Sequence, residues 1–139
     1  MKDREPFILE AGLVCSSSAD TYVETSPIPN DKIFTCMSMA AVDMTHPIGT
    51  RLELGLVDGK AHVAIRSQKG PFPSKTSGNA EYPVIVLPGQ RLYALFVTPQ
   101  VKDDLRLYAH GYLTEVDNDE KRPKRVYYCE CRVRYYRGR

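Results

Sequence analysis

The chain has no tryptophan, only three histidines, and no apolar run approaching the ~18 residues of a membrane-spanning helix. A spanning helix is therefore not expected. The N-terminus, Met1-Lys2-Asp3-Arg4-Glu5-Pro6, alternates in charge and leads into no hydrophobic segment. It does not read as a secretion signal, so folding in a reducing cytoplasm is expected. The sequence contains no GxxxxGK[ST], GxGxxG, GxSxG or HExxH. Those gaps leave no phosphate-cradling loop, nucleophile elbow or zinc-protease helix. The chain reads as non-enzymatic and without a cofactor.

Cysteine is also sparse, at four residues: Cys15, Cys36, Cys129 and Cys131. The one close pair is CxC, whereas tetrahedral zinc sites usually combine CxxC knuckles with a second knuckle or with His. No His lies near any of the four in sequence. Free, buried thiols are expected, with no metal.

The remaining chemistry-bearing residues have ordinary readings. His62 and His110 fall in strands beside Lys, Arg or Tyr, as surface or interface residues do. His46 precedes Pro47 and reads as a turn residue. Asp103-Asp104 looks like a carboxylate pair, but neighbours on a strand point to opposite faces, so a turn before Leu105 is expected. Asp117, Asp119 and Glu120 lack the spacing and glycine of an EF-hand and read as solvated loop charge.

What is present is a period of two. The 139 residues suit one domain. Short runs of Val, Ile, Leu, Tyr and Thr are separated by Gly, Pro, Asn and Asp. In Arg51–Gln68, Leu52, Leu54 and Leu56 alternate with Glu53, Gly55 and Val57; after Asp58-Gly59, Ala61, Val63 and Ile65 alternate with polar neighbours. Asp-Gly between alternating runs predicts a hairpin with a type I′ turn. Val84–Leu87 and Arg91–Val97, joined by Pro88-Gly89, predict a second hairpin over Tyr82–Thr98. Leu105–Val116 predicts a strand with Leu105, Leu107, Ala109 and Leu113 inward; Gly111 marks a bulge or a close backbone approach. Earlier strands are predicted at Phe7–Cys15, Thr21–Thr25 and Ile33–Val42. Thr35–Met44 is the best helix candidate but fits a buried strand too. Val126–Tyr136 completes a set of about eight, with Tyr127, Cys129, Cys131, Val133 and Tyr135 on one face and Glu130, Arg132, Arg134 and Tyr136 on the other. The fold expected is an all-β, antiparallel β-sandwich, jelly-roll-like.

Charge is unevenly placed. Residues 1–120 carry 11 Lys+Arg against 16 Asp+Glu, a net of −5, and residues 121–139 carry a net of +7. The domain therefore reads as one unit over 1–139 with a basic C-terminal strand (121–139) that reaches a neighbouring subunit. The expected interface residues are Arg125, Arg132, Arg134, Tyr136 and Arg137. Lys69, Phe72 and Lys75 join them from the long Ser67–Pro83 connection, whose length points to a functional loop. Arg interleaved with Tyr also suits phosphate and base stacking, so contact with nucleic acid through the last strand is one alternative. Another is a carbohydrate- or ligand-binding sandwich using Tyr82, Tyr93, Tyr108 and Tyr112.

The segment Ile28–Val116 carries further cues: Ile28-Pro29-Asn30-Asp31-Lys32-Ile33-Phe34, the Asp-Gly hairpin, Leu87-Pro88-Gly89-Gln90-Arg91-Leu92, and Asp103-Asp104-Leu105 followed by Gly111-Tyr112. This cadence resembles small β-sandwich virion proteins of tailed bacteriophages. The chain departs from it in having Asp-Asp where Gly-Asp is usual, and the basic last strand is not part of it. The resemblance implies a structural role in the virion, as capsid decoration or cement or as a neck or tail component. It implies a homo-oligomer or an assembly with capsid, portal or tail proteins, and no membrane.

Overall fold

The computed structural model describes residues 4–47, 51–69, 77–78 and 83–116. Nine strands are found among them: β1 (Glu5–Val14), β2 (Thr21–Glu24), β3 (Lys32–Asp43), β4 (Arg51–Asp58), β5 (Ala61–Lys69), β6 (Ser77–Gly78), β7 (Val84–Val86), β8 (Arg91–Phe96) and β9 (Asp104–Glu115). No helix occurs among the described residues, so none there is long and apolar enough to cross a membrane. Thr35–Met44 is strand to Asp43, where Cys36, Met39 and Ala41 reach the core.

The strands form two antiparallel sheets, one ordered β1-β9-β3-β6 with β7 also on β3, the other β2-β8-β4-β5. β7 pairs with the first part of β3 and β6 with its end, so together they fill one lane. Four lanes then lie in each sheet. Each early strand pairs with a late one: β1 with β9, β2 with β8, β3 with β6 and β7, β4 with β5. That is a long hairpin rolled onto itself, the jelly-roll arrangement.

The core lies between the sheets and follows the alternation. Leu52 and Leu54 meet Ala94, Leu92 and Phe96 from one sheet; Phe34, Met39, Leu105 and Leu107 meet them from the other. Phe7 packs edge-on against Phe34 at 5.8 Å between centroids.

Two turns and one strand position differ from, or sharpen, the expectations. In the β4–β5 hairpin Asp58 pairs with Ala61, so Gly59-Lys60 form the two-residue loop, one step beyond the expected centre. Only Gly59 of the two has positive φ (+63°), which fits type II′ rather than I′. Second, Val84–Val86 and Arg91–Phe96 are not a hairpin: they lie in different sheets. Gln90 N–H bonds Leu87 O at 3.0 Å with Gly89 at φ +84°, a type II turn. Such turns splay their flanking strands rather than twist them together. Hydrogen bonds to Ile28 on both sides of Gly89 hold this corner, where the chain crosses from one sheet to the other.

Third, Gly111 is a close approach. A Cβ there would sit 1.9 Å from Thr35 O. The bulge itself is on the partner strand, where Met37 is the extra residue between Cys36 and Ser38.

Candidate functional site

One end of the sandwich gathers three titratable groups from distant parts of the chain. Asp43 closes β3 on its core-facing parity, and Asp103 immediately precedes β9. They are 3% and 1% exposed. Asp43 Oδ1 accepts the backbone N–H groups of Thr45 (2.9 Å) and His46 (3.1 Å). Asp103 Oδ2 accepts Gln100 N–H at 3.0 Å, and Oδ1 is hydrogen-bonded to His46 Nδ1. The two carboxyls also bond each other. Burial, then that bond, pushes Asp43 up to about 6. Burial works against Asp103 as well, but hydrogen bonds from Asp43, His46 and Gln100 hold it below its ordinary value. Below about pH 6 the pair thus favours a proton on Asp43 and a charge on Asp103. A pocket of about 100 Å³ adjoins them, lined also by Phe96, Pro99 and Gln100.

Every one of these bonds ties a loop, so the cluster reads as a latch between the β3 exit, the β9 entry and the 97–102 turn. The nearby Cys15 is a buried free thiol pushed up by burial, hence a poor thiolate. Cys36 is likewise free and buried, pushed up to about 11. As expected, Asp103 and Asp104 point apart. Asp104 turns outward to a two-point bond with Arg106 at 2.9 and 2.8 Å.

The outer face of the β2-β8-β4-β5 sheet carries an aromatic stack. Gly55 makes room for Tyr93, whose Cε1 lies 2.4 Å from where a Cβ would stand. Tyr22 and His62 cover the ring at 5.5 and 4.9 Å between centroids. Tyr93 O–H donates to Glu53 at 2.6 Å; Glu24 takes His62 and Arg91, each at 3.0 Å. Tyr93 is 0% exposed and closed to a ligand. Tyr108 and Tyr112 are half-buried on the other sheet, with the Arg4 guanidinium 4.6 Å from the Tyr112 ring centre. These three tyrosines therefore form no single stacking platform. Tyr82 lies outside the described residues. His110, on the same sheet as Tyr108, is hydrogen-bonded to Ser38.

Exposed apolar residues lie on the marginal strands β1 (Ile8, Leu13, Val14), β5 (Val63, Ile65), β2 (Tyr22) and β7 (Ile85), and also at Met37, Leu87 and Val101. An open depression of about 480 Å³ runs beside β1, lined by Glu10, Gly12, Val14, Arg106 and Tyr108 among others. Of the interface residues expected from sequence, Lys69 is the last residue of β5. Phe72, Lys75, Arg125, Arg132, Arg134, Tyr136 and Arg137 lie outside the described residues, as does the Val126–Tyr136 strand. The marginal strands were not singled out as contacts from sequence, because which strand ends a sheet depends on long-range pairing.

No protein-family model and no curated protein matches the chain. Among solved structures, a chain from the acidic stable capsid structure of Helicobacter pylori bacteriophage KHP30 has a similar fold: TM-score 0.56 at 10% identity, covering 81% of this chain and 93% of that one. A chain from a structure described as "CBM4 structure and function" matches at TM-score 0.33 and 12% identity, covering 78% and 84%. One from the Gt strain of infectious bursal disease virus matches at 0.34 and 9%, covering 80% and 32%.

Proposed function

We propose that the chain is a non-enzymatic structural protein of a tailed-bacteriophage virion, a capsid decoration or cement protein or a neck or tail component, acting by assembly with other subunits. The observation that carries this reading is the fold shared with the phage-capsid chain, which spans nearly all of that chain and four-fifths of this one. Two features of the molecule support it. The Asp43–His46–Asp103 groups are spent on closing loops. Exposed apolar side chains lie along the marginal strands β1 and β5, where neighbours can add to a sheet. In this reading the basic segment 121–139 docks on the acidic body of a neighbour through Arg125, Arg132, Arg134, Tyr136 and Arg137, while Lys69, Phe72 and Lys75 make a second contact.

Quantitative mass spectrometry of density-purified particles from the phage that carries the gene tests the proposal. The chain should be present at many copies per particle, in fixed ratio to the major capsid or tail protein. Its absence from intact particles would overturn the proposal.

A further inference from the structure

A jelly roll closes its core but leaves four sheet edges. Among the described residues two of the edges are short: β2 has four residues, and the lane shared by β6 and β7 has two and three. Short edges are poor templates for pairing. The other two are long. β1 has ten residues and pairs only with β9; β5 has nine and pairs only with β4, among the described residues. Among the described residues no strand pairs with their outward backbone groups.

Each long edge also leaves apolar side chains uncovered. Ile8 and Val14 on β1 are 63% and 61% exposed, and Val63 on β5 is 51% exposed. The two edges differ in charge. β1 contains Glu5 and Glu10 and no base, and neither glutamate has an ion pair among the described residues. The β5 strand and its turn contain Lys60, Arg66 and Lys69, of which Arg66 already has an interaction within the molecule, and the sequence has no acidic residue over 59–80. They also lie on opposite flanks. β1 ends one sheet beside β2 of the other, while β5 ends its sheet three lanes away from β2. One molecule can therefore use both edges at once.

We infer that copies of this chain join head to tail, the acidic β1 edge of one pairing with the basic β5 edge of the next to continue a sheet across the contact. This rests on the assembly reading above and names the surfaces that would serve it. Opposite charges on two different edges favour a heterologous contact over β1 with β1 or β5 with β5, which would set like charges together. Such contacts close into rings or run on as chains, according to the rotation between copies.

The test uses two full-length variants at exposed positions. In one, β1 is blocked by Ile8→Lys with Glu10→Lys; in the other, β5 is blocked by Val63→Asp with Ile65→Asp. Circular dichroism and thermal melts establish that both fold. Light scattering after size exclusion then reads the mass. The wild type should form multi-subunit species, and each variant alone should fall to the 15.7 kDa monomer. A one-to-one mixture should form a dimer and nothing larger, because one intact edge of each kind remains.

Assembly that survives either block, or a mixture that stays monomeric, would overturn the edge contact while leaving the virion role to the particle measurement. A wild type that is monomeric throughout would overturn it too. A β1 block that abolishes assembly beside a β5 block that does not would also overturn it, because the partner of β1 would then be another segment.

Discussion

Asp43 and Asp103 stand 60 positions apart in the chain and share a buried hydrogen bond at one end of the sandwich. Two carboxylates in contact cannot both stay ionised at low cost, so below about pH 6 the pair keeps a proton on Asp43. The amides of 45 and 46 reach Asp43 and that of 100 reaches Asp103, while the His46 ring bonds Asp103 and helps hold the charge there.

This pair sets a pH dependence for stability. The pKa of Asp43 is raised on folding to about 6, so its contribution is full below the unfolded carboxylate range and fades as pH rises through about 6. The pKa of Asp103 is lowered, so its contribution is present above that range and is lost as pH falls below it. Stability from the pair should therefore peak near pH 4. Asp43→Asn keeps the amide acceptor and supplies a permanent donor. It should flatten the loss between pH 4 and 7 and raise stability at pH 7 by about 2 kcal/mol. Asp103→Asn should destabilise at both pH values. Urea titrations at a series of pH values measure this; a wild-type midpoint that climbs steadily from pH 4 to 7 would contradict it.

Gly111→Ala forces a methyl into the Thr35 carbonyl, and backbone is the neighbour that must move. The expected cost is about 1–3 kcal/mol. A lowered urea midpoint with an unchanged slope would be the signature. Gly12→Ala, where the nearest neighbour is 3.6 Å away, serves as the neutral control.

Tyr93→Phe keeps the ring over Gly55 and removes the bond to Glu53, leaving a half-buried carboxylate with one partner fewer. A loss of about 1 kcal/mol is expected in thermal denaturation. Gly55→Ala should cost more, since Tyr93 and Val63 O both stand 2.4 Å from the added carbon.

These positions mark what local pattern can reveal. Alternation placed Leu52, Leu54, Leu105, Leu107 and Ala109 inside because a strand sorts its faces by parity alone. The same parity put Asp43 in line with Met39 and Ala41, a buried acid visible in principle from sequence. The bond from His46 to Asp103 is not visible there, because contact across 57 residues leaves no local trace. Leu87-Pro88-Gly89-Gln90 signals a turn but not whether its strands pair or part; the bonds from Ile28 settle that. Tyr93 alternates like a surface residue yet is buried, since Tyr22 and His62 arrive from strands remote in sequence.

Replacing Arg132, Arg134 and Arg137 with Glu separates the two uses proposed for the basic segment. If it meets the acidic body of a neighbour, particle binding should fall and should weaken with salt, while retention on DNA stays negligible in both forms. Strong DNA retention by the wild type, lost in the variant, would assign the segment to nucleic acid instead.

The central claim is that this domain works by joining a virion. Its most direct test is co-sedimentation of the purified full chain with particles of the phage that carries the gene, prepared without this protein. Saturable binding at a fixed number of copies per particle is the expected result. Failure to bind either the particles or any particle protein, under conditions where the chain is folded, would contradict it.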